Sequence, residues 1–283
     1  MKNIYQALTL VAASLAVSQV SALTVKQVPG DLSKIPQDAS VFKDSPESKV
    51  ELTGQAVVAP HPKTTTTESI TVQAVHDGKW VAFRLSWADP EKSEGGPVGK
   101  YSDGVALEFP TKDGEPPSVM MGQKGEPVHI IHWKAQFQID REKGMSGIKD
   151  IYPNTNIDMY PMDYKDPGKL PKFTQDQRDT YIHGRAAGNA QSYPKLNAVD
   201  EIFAEGFGTS QVREKTEAIG SGRWENGRWS VVIIRPLSQV GASQLVPGKD
   251  GNVGFAVWQG GKDEVGSRKS LTMNWEPVTW SGK

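Results

Sequence analysis

SITVQAVHDGKWVAFRLSW, residues Ser69–Trp87, is the stretch that decides the fold. Two runs rich in β-branched and aromatic residues, Ser69 to Val75 and Trp80 to Trp87, flank His76-Asp77-Gly78-Lys79. An Asp-Gly pair suits the tight turn of an antiparallel hairpin, because both central residues there need positive φ. The pattern recurs near the C-terminus, where Gly220 to Trp224 and Trp229 to Arg235 flank Glu225-Asn226-Gly227-Arg228. Gly104 to Phe109 and Val128 to Phe137 make another pair around a longer loop. Val50 to Val58, Val253 to Gln259 and Ser270 to Trp275 add further short apolar runs. Many short strands punctuated by Gly and Pro predict a mainly β chain: an antiparallel β-sandwich with long loops and a few short helices.

Other segments have no strand period. Arg141 to Lys195 is rich in Tyr, Asp, Pro and Asn and reads as long loops with one short helix. A stretch of that length without structure usually serves or covers a site. Ala198 to Glu205 has the composition of a short helix. Leu23 to Lys49 is Pro- and Asp-rich and reads as a loosely structured lead-in. The expected organisation is therefore a leader over 1–22, an extended N-terminal segment over 23–49 and a β-sandwich domain over 50–283.

The leader sets the expected compartment. Lys2 precedes an uncharged run from Ile4 to Val20, mostly Ala, Leu and Val, and Val20-Ser21-Ala22 supplies small residues for cleavage after Ala22. That is a signal-peptide layout, expected to deliver the chain to a bacterial-type periplasm. The polar Tyr5, Gln6, Ser14, Ser18 and Gln19 in the run argue against a membrane anchor. Loss of Lys2 takes the net charge from −1 to −2. A near-neutral chain has no electrostatic reason to hold nucleic acid or an anionic membrane. The chain has no cysteine. Disulfides, Cys-ligated zinc, Fe–S clusters and thioether-attached haem are all excluded.

Chemistry concentrates in Tyr101 to Phe137, YSDGVALEFPTKDGEPPSVMMGQKGEPVHIIHWKAQF. Met120 and Met121 sit in the connecting loop just before Gly122, where a Met pair has no core to fill unless something apolar docks there. Both faces of the following strand are apolar, yet His129, His132 and Lys134 lie within it. Strand alternation puts His132 and Lys134 on one face with Ile130. A buried lysine tends to lose its proton, and the neutral amine can ligate a metal. Thioether sulfur suits haem iron. Met plus a nitrogen ligand from one hairpin thus forms an axial pair for a non-covalent haem. The plainer reading of the same residues is a Lys134 that snorkels to the rim and a satisfied, half-buried His132.

Other chemistries find less support. His61, His76 and His183 are isolated, and no H-E-x-x-H or G-x-S-x-G motif occurs. His129 and His132 fall on opposite faces of a strand. Gly206-Phe207-Gly208 reads as a turn.

The run Tyr101 to Pro110, then Met121-Gly122, then His132-Trp133-Lys134-Ala135, resembles the haem b subunits of the ethylbenzene dehydrogenase family. These are the gamma subunits of type II dimethyl sulfoxide reductase-like molybdoenzymes. Ala187 to Ala190, Ala204 to Thr209 and Trp229 through Leu237 resemble the same family, so the likeness runs from about Val50 to about Trp275. It implies a β-sandwich holding one haem b between Met and Lys. Met121 corresponds best to the methionine, with Met120 beside it as the rival. Lys134 corresponds to the lysine, with Lys195 and His132 as alternatives. Met120, His132 and Trp133 are expected as cofactor contacts. Tyr193 departs from the smaller polar residue expected in its loop. The implied role is electron transfer without catalysis, in a heterotrimer with an Fe–S subunit and a molybdopterin catalytic subunit, exchanging electrons with a soluble periplasmic carrier. The rival readings are a periplasmic carbohydrate- or ligand-binding sandwich without redox activity, for which the eight tryptophans would serve stacking, and a β-sandwich hydrolase.

Overall fold

The Asp-Gly hairpin forms where the sequence puts it. In the computed structural model, which describes residues 22–34, 40–154, 183–189, 192–239 and 242–282, strand β4 (Ser69–His76) pairs antiparallel with β5 (Trp80–Ala88). Asp77 Oδ1 accepts from the backbone N–H groups of Lys79 and Trp80, and Gly78 takes φ of 89°. The second hairpin joins β10 (Ile219–Glu225) to β11 (Arg228–Pro236) through Asn226 and Gly227, at φ of 50° and 73°, the left-handed pair that this turn demands. Residues 1–21, expected as a leader, and residues 155–182 of the central segment lie outside the described residues. Among the described residues no helix is long and apolar enough to cross a membrane.

The remaining strands are β1 (Leu23–Gln27), β2 (Ser48–Glu51), β3 (Thr53–Gly54), β6 (Gly104–Pro110) and β7 (Val128–Lys134) in the first half. β8 (Val199–Ala204), β9 (Gln211–Val212), β12 (Gly251–Trp258), β13 (Ser270–Leu271) and β14 (Glu276–Ser281) follow. They pair in the order β10-β11-β5-β4-β1-β14-β12-β6-β7-β8-β9, a mainly β architecture. β12 is the corner: Gly251 to Val253 pair with β14, while Gly254 to Trp258 pair with β6. The sheet therefore turns back on itself, and its two halves face each other as the layers of a sandwich. Val72, Phe83, Leu85, Val231 and Ile233 from one half share a core with Leu107, Phe109, Ile131, Phe255 and Val257 from the other. Phe83 and Phe109 meet across the layers at 5.8 Å between ring centroids.

Three segments differ from expectation. Leu23 to Gln27 is no lead-in: β1 lies inside the sheet, parallel to both β4 and β14, with Leu23 and Val25 buried. Ala198 to Glu205 gives strand β8 rather than a helix. Its pairing along β7 outweighs the helix propensity of its Ala and Glu residues. The strand from Val128 stops at Lys134, and helix α1 (Ala135–Lys143) begins at once. That helix shields the open edge of β10. Gln138 both donates to the Gly222 carbonyl and accepts from its N–H, and Arg141 donates to the Gly220 carbonyl. Edge groups that would otherwise pair with another chain are thus satisfied internally.

Trp133 fixes how closely the layers approach. A Cβ on Gly222 would lie 2.4 Å from its Cζ2 atom, and one on Gly220 would lie 2.6 Å from its Cδ1. Both glycines are required for space. Elsewhere in the interior, Glu201 is fully buried and ringed by donors: Arg213, Gln239 and the backbone N–H groups of Glu217 and Ala218, with His129 Nε2 at 3.3 Å. Burial alone would raise its pKa. The nearby His129 and the surrounding N–H donors outweigh that and hold it at about 2, below the ordinary 4.5.

Two outcomes follow from this packing. Gly222→Ala lowers stability by about 1–3 kcal/mol through overpacking against Trp133, read from urea unfolding midpoints. A carboxylate with a depressed folded pKa stabilises the fold above its unfolded pKa. Stability therefore falls as pH drops from about 4.5 to about 2. In Glu201→Gln the slope across that window is shallower; an unchanged slope would show that other groups carry the acid sensitivity.

Candidate functional site

The strand pleat builds a cavity on the outer face of the β12-β6-β7-β8 layer. Along these strands Val105, Leu107, Phe109, Ile131, Trp133, Phe255 and Val257 point into the sandwich. Their neighbours point outward, and the register aligns them in rows: Gly254, Glu108, Ile130 and Ile202 in one, Ala256, Ala106, His132 and Asp200 in the next. Gly254, Ala256 and Ala106 leave room above the sheet in these rows. A Cβ on Gly254 would already sit 3.0 Å from the Val119 side chain above it. The cavity has a volume of about 390 Å³ and is mostly apolar, lined by Val119, Ile130, Ile202, Phe207, Trp258 and Leu271 among others. That is the size and character of a small-molecule or cofactor site.

The roof is the loop bearing the Met pair. Met121 has φ of 69°, left-handed for a residue with a side chain, and Gly122 follows at 75°. Here glycine is obligatory, since a Cβ would come within 2.8 Å of the Glu126 carbonyl oxygen and 2.9 Å of that of Ala204. The loop is pinned at both ends of this turn. Gly122 donates to the Ser118 carbonyl, and the Met121 carbonyl accepts from Gly206 at 2.7 Å. The turn at Gly206-Phe207-Gly208, expected from sequence, therefore braces the methionine loop. Met120 and Met121 both line the cavity.

Polar groups are few and costly here. Glu108 stands on the floor with Oε1 buried and unpartnered. Burial pushes its pKa up, against the opposing pull of Lys269 and of the Met121 backbone N–H. Lys269, from the segment leading into β13, lies with Nζ 5.0 Å from the Trp258 ring centroid. Burial lowers its pKa, and Glu108 opposes that shift. His132 stacks on Trp258 at 4.4 Å, leaves Nε2 without a partner, and is held neutral by burial and then by Lys134 and Lys269. Lys134 sits at one end of the cavity with Nζ 5.0 Å from the Phe137 ring centroid; burial lowers its pKa as well.

The structure therefore brings together four of the residues singled out in the sequence: Met120, Met121, His132 and Lys134. Trp133 is a correction. It points through the opposite face of β7 into the sandwich core, 5.0 Å from Trp229, as alternation requires. Lys195 is not among the lining residues; it is buried in an ion pair with Asp200 at 2.6 Å. Sequence reasoning missed Glu108 and Lys269. Glu108 left a trace, a carboxylate inside the apolar run Val105 to Phe109. Lys269 left none, because it is brought in by the pairing of β13 with β12.

A β-sandwich with a thioether- and amine-lined cavity on one layer is the class that this geometry defines. The ethylbenzene dehydrogenase family pattern matches residues 39–270, and the chain belongs to that family. It is 24% identical to the dimethylsulfide dehydrogenase gamma subunit of Rhodovulum sulfidophilum, over 74% of this chain and 59% of that protein. It is 26% identical to the chlorate reductase gamma subunit of Ideonella dechloratans, over 89% of this chain and 82% of that one. A Haloferax mediterranei protein provisionally named a respiratory nitrate reductase haem subunit is 22% identical over 84% of this chain and 70% of its own length.

Proposed function

We propose that this chain is a periplasmic haem b subunit that passes single electrons within a molybdenum-containing oxidoreductase complex. The observation that carries this reading is one mostly apolar cavity holding the Met120–Met121 roof, two lysines and a floor opened by Gly254 and Ala256. The donor set fits a non-covalent haem. Thioether sulfur and a neutral amine are both ligands that iron accepts. Burial drives Lys269 toward its neutral form, which a ligating lysine needs. The unpartnered Glu108 Oε1 and His132 Nε2 are what a site shaped for a bound group leaves behind. The name of the Haloferax mediterranei relative, a haem subunit, supports the same cofactor class.

The axial pair in this reading is Met121 with Lys269. Met121 is held by its left-handed turn and faces Glu108 through its backbone N–H, and Lys269 is the lysine whose charge couples to that same Glu108. Lys134 neighbours Phe137, Lys195 and Asp200 instead, at the other end. Bound haem would supply a one-electron couple, and ligands on both axial sides favour electron transfer over substrate chemistry. The protein's part is to bury the ring, present the two ligands and exclude water. The partners in this reading are an Fe–S subunit, a molybdopterin catalytic subunit and a soluble periplasmic carrier, with delivery by the cleaved leader.

The test is the visible spectrum of the purified mature chain, oxidised and reduced. Wild type and Lys134→Ala give a Soret band and sharp low-spin reduced bands. Met121→Ala and Lys269→Ala each convert the spectrum to one with an altered axial set. A wild-type chain that takes up no haem overturns the proposal and leaves a ligand-binding sandwich in its place.

A further inference from the structure

Two lysines line the cavity, and the haem reading uses only one. The other is Lys134. It ends β7, on the same face as Ile130 and His132, and is half-buried. No carboxylate lies within ion-pair distance of its Nζ among the described residues. The nearby acid, Asp200, is taken by Lys195 at 2.6 Å. Lys134 touches the face of Phe137 instead. A half-buried ammonium without an ion-pair partner is unfavourable, and Lys134 lines a cavity of about 390 Å³. The opposite situation holds for haem b: its ring is apolar, but its two carboxylates are anionic and need donors.

We infer that Lys134 binds a haem carboxylate. The inference rests on the haem reading above and assigns Lys134 a positioning role at the cofactor's edge, not a place on the iron. Position divides the work between the lysines. The amine that ligates must be neutral, and Lys269 sits among Trp258, Glu108 and the Met loop. The amine that binds a carboxylate must be charged, and Lys134 sits at the polar end beside the Lys195–Asp200 pair. Burial lowers the Lys134 pKa and Asp200 opposes that shift; a carboxylate brought in by the ligand would favour the charged form further. The α1 helix, which starts at the next residue, fixes the backbone from which Lys134 projects.

The experiment uses the full mature chain loaded with ferric haem or with haem dimethyl ester, whose carboxylates carry no charge. Release to excess apomyoglobin is followed for wild type, Lys134→Met and Lys134→Arg. The expected result has Lys134→Met releasing haem roughly ten-fold faster than wild type, as loss of a charge-assisted hydrogen bond implies. Lys134→Arg restores slow release, and the penalty in Lys134→Met disappears with the dimethyl ester. Low-spin bands persist in all three proteins. An equal penalty with haem and its ester, or no penalty with either, overturns the assignment. Loss of the low-spin bands in Lys134→Met also overturns it and makes Lys134 an iron ligand. A wild-type chain that binds neither form sinks the haem reading itself, and this inference with it.

Discussion

Everything at the site depends on the pleat of four paired strands. Successive side chains on β12, β6, β7 and β8 point to opposite faces. One face is committed to the interlayer core through Phe255, Leu107, Ile131 and Trp133. The register then leaves Gly254, Ala256, Ala106, Glu108, Ile130 and His132 no choice but to form the outer surface. A shift of one residue would send the floor of the cavity into the core and expose the core residues instead. The interior packing thereby guarantees the site: Trp133 can rest on Gly220 and Gly222 only in the register that aims Lys134 and His132 outward.

The two faces treat charge differently. On the inner side, Glu201 accepts from Arg213, Gln239 and two backbone N–H groups, with His129 Nε2 at 3.3 Å, so this buried carboxylate stays ionised. On the outer side the polar groups are left incomplete. Glu108 and His132 keep buried atoms without partners, and Lys134 and Lys269 lie against aromatic rings with no ion pair of their own among the described residues. Such incompleteness destabilises the empty fold. A ligand that brings its own ring and charges would relieve it, and this connects the energetics of the fold to its function.

The methionine roof adds a second constraint. Met121 adopts a backbone conformation that a side-chain-bearing residue rarely takes, and the surroundings hold it there: Gly122 packs against two carbonyls and Gly206 donates to Met121 itself. Departures of this kind persist where function fixes a side chain in place. The cavity is thus enclosed between a rigid sheet and a braced loop, and neither element needs to move to present its donors.

The sequence by itself determined the two glycine-marked hairpins, the β class, the absence of cysteine chemistry and the Met pair before Gly122. All of these depend on local backbone preference, alternation or composition, which adjacent residues fully express. His132 and Lys134 were likewise legible as sharing one face of a strand. Only the tertiary structure decided that Leu23 to Gln27 belongs inside the sheet and that Val199 to Ala204 is a strand, since each choice is made by partners far along the chain. It also decided which residues join the Met pair. Glu108 and Lys269 are separated by most of the sequence, and they meet because β12 pairs with β6 on one side and β13 on the other. Strand pairing at that range depends on how well whole layers pack, and no local run of residues encodes it.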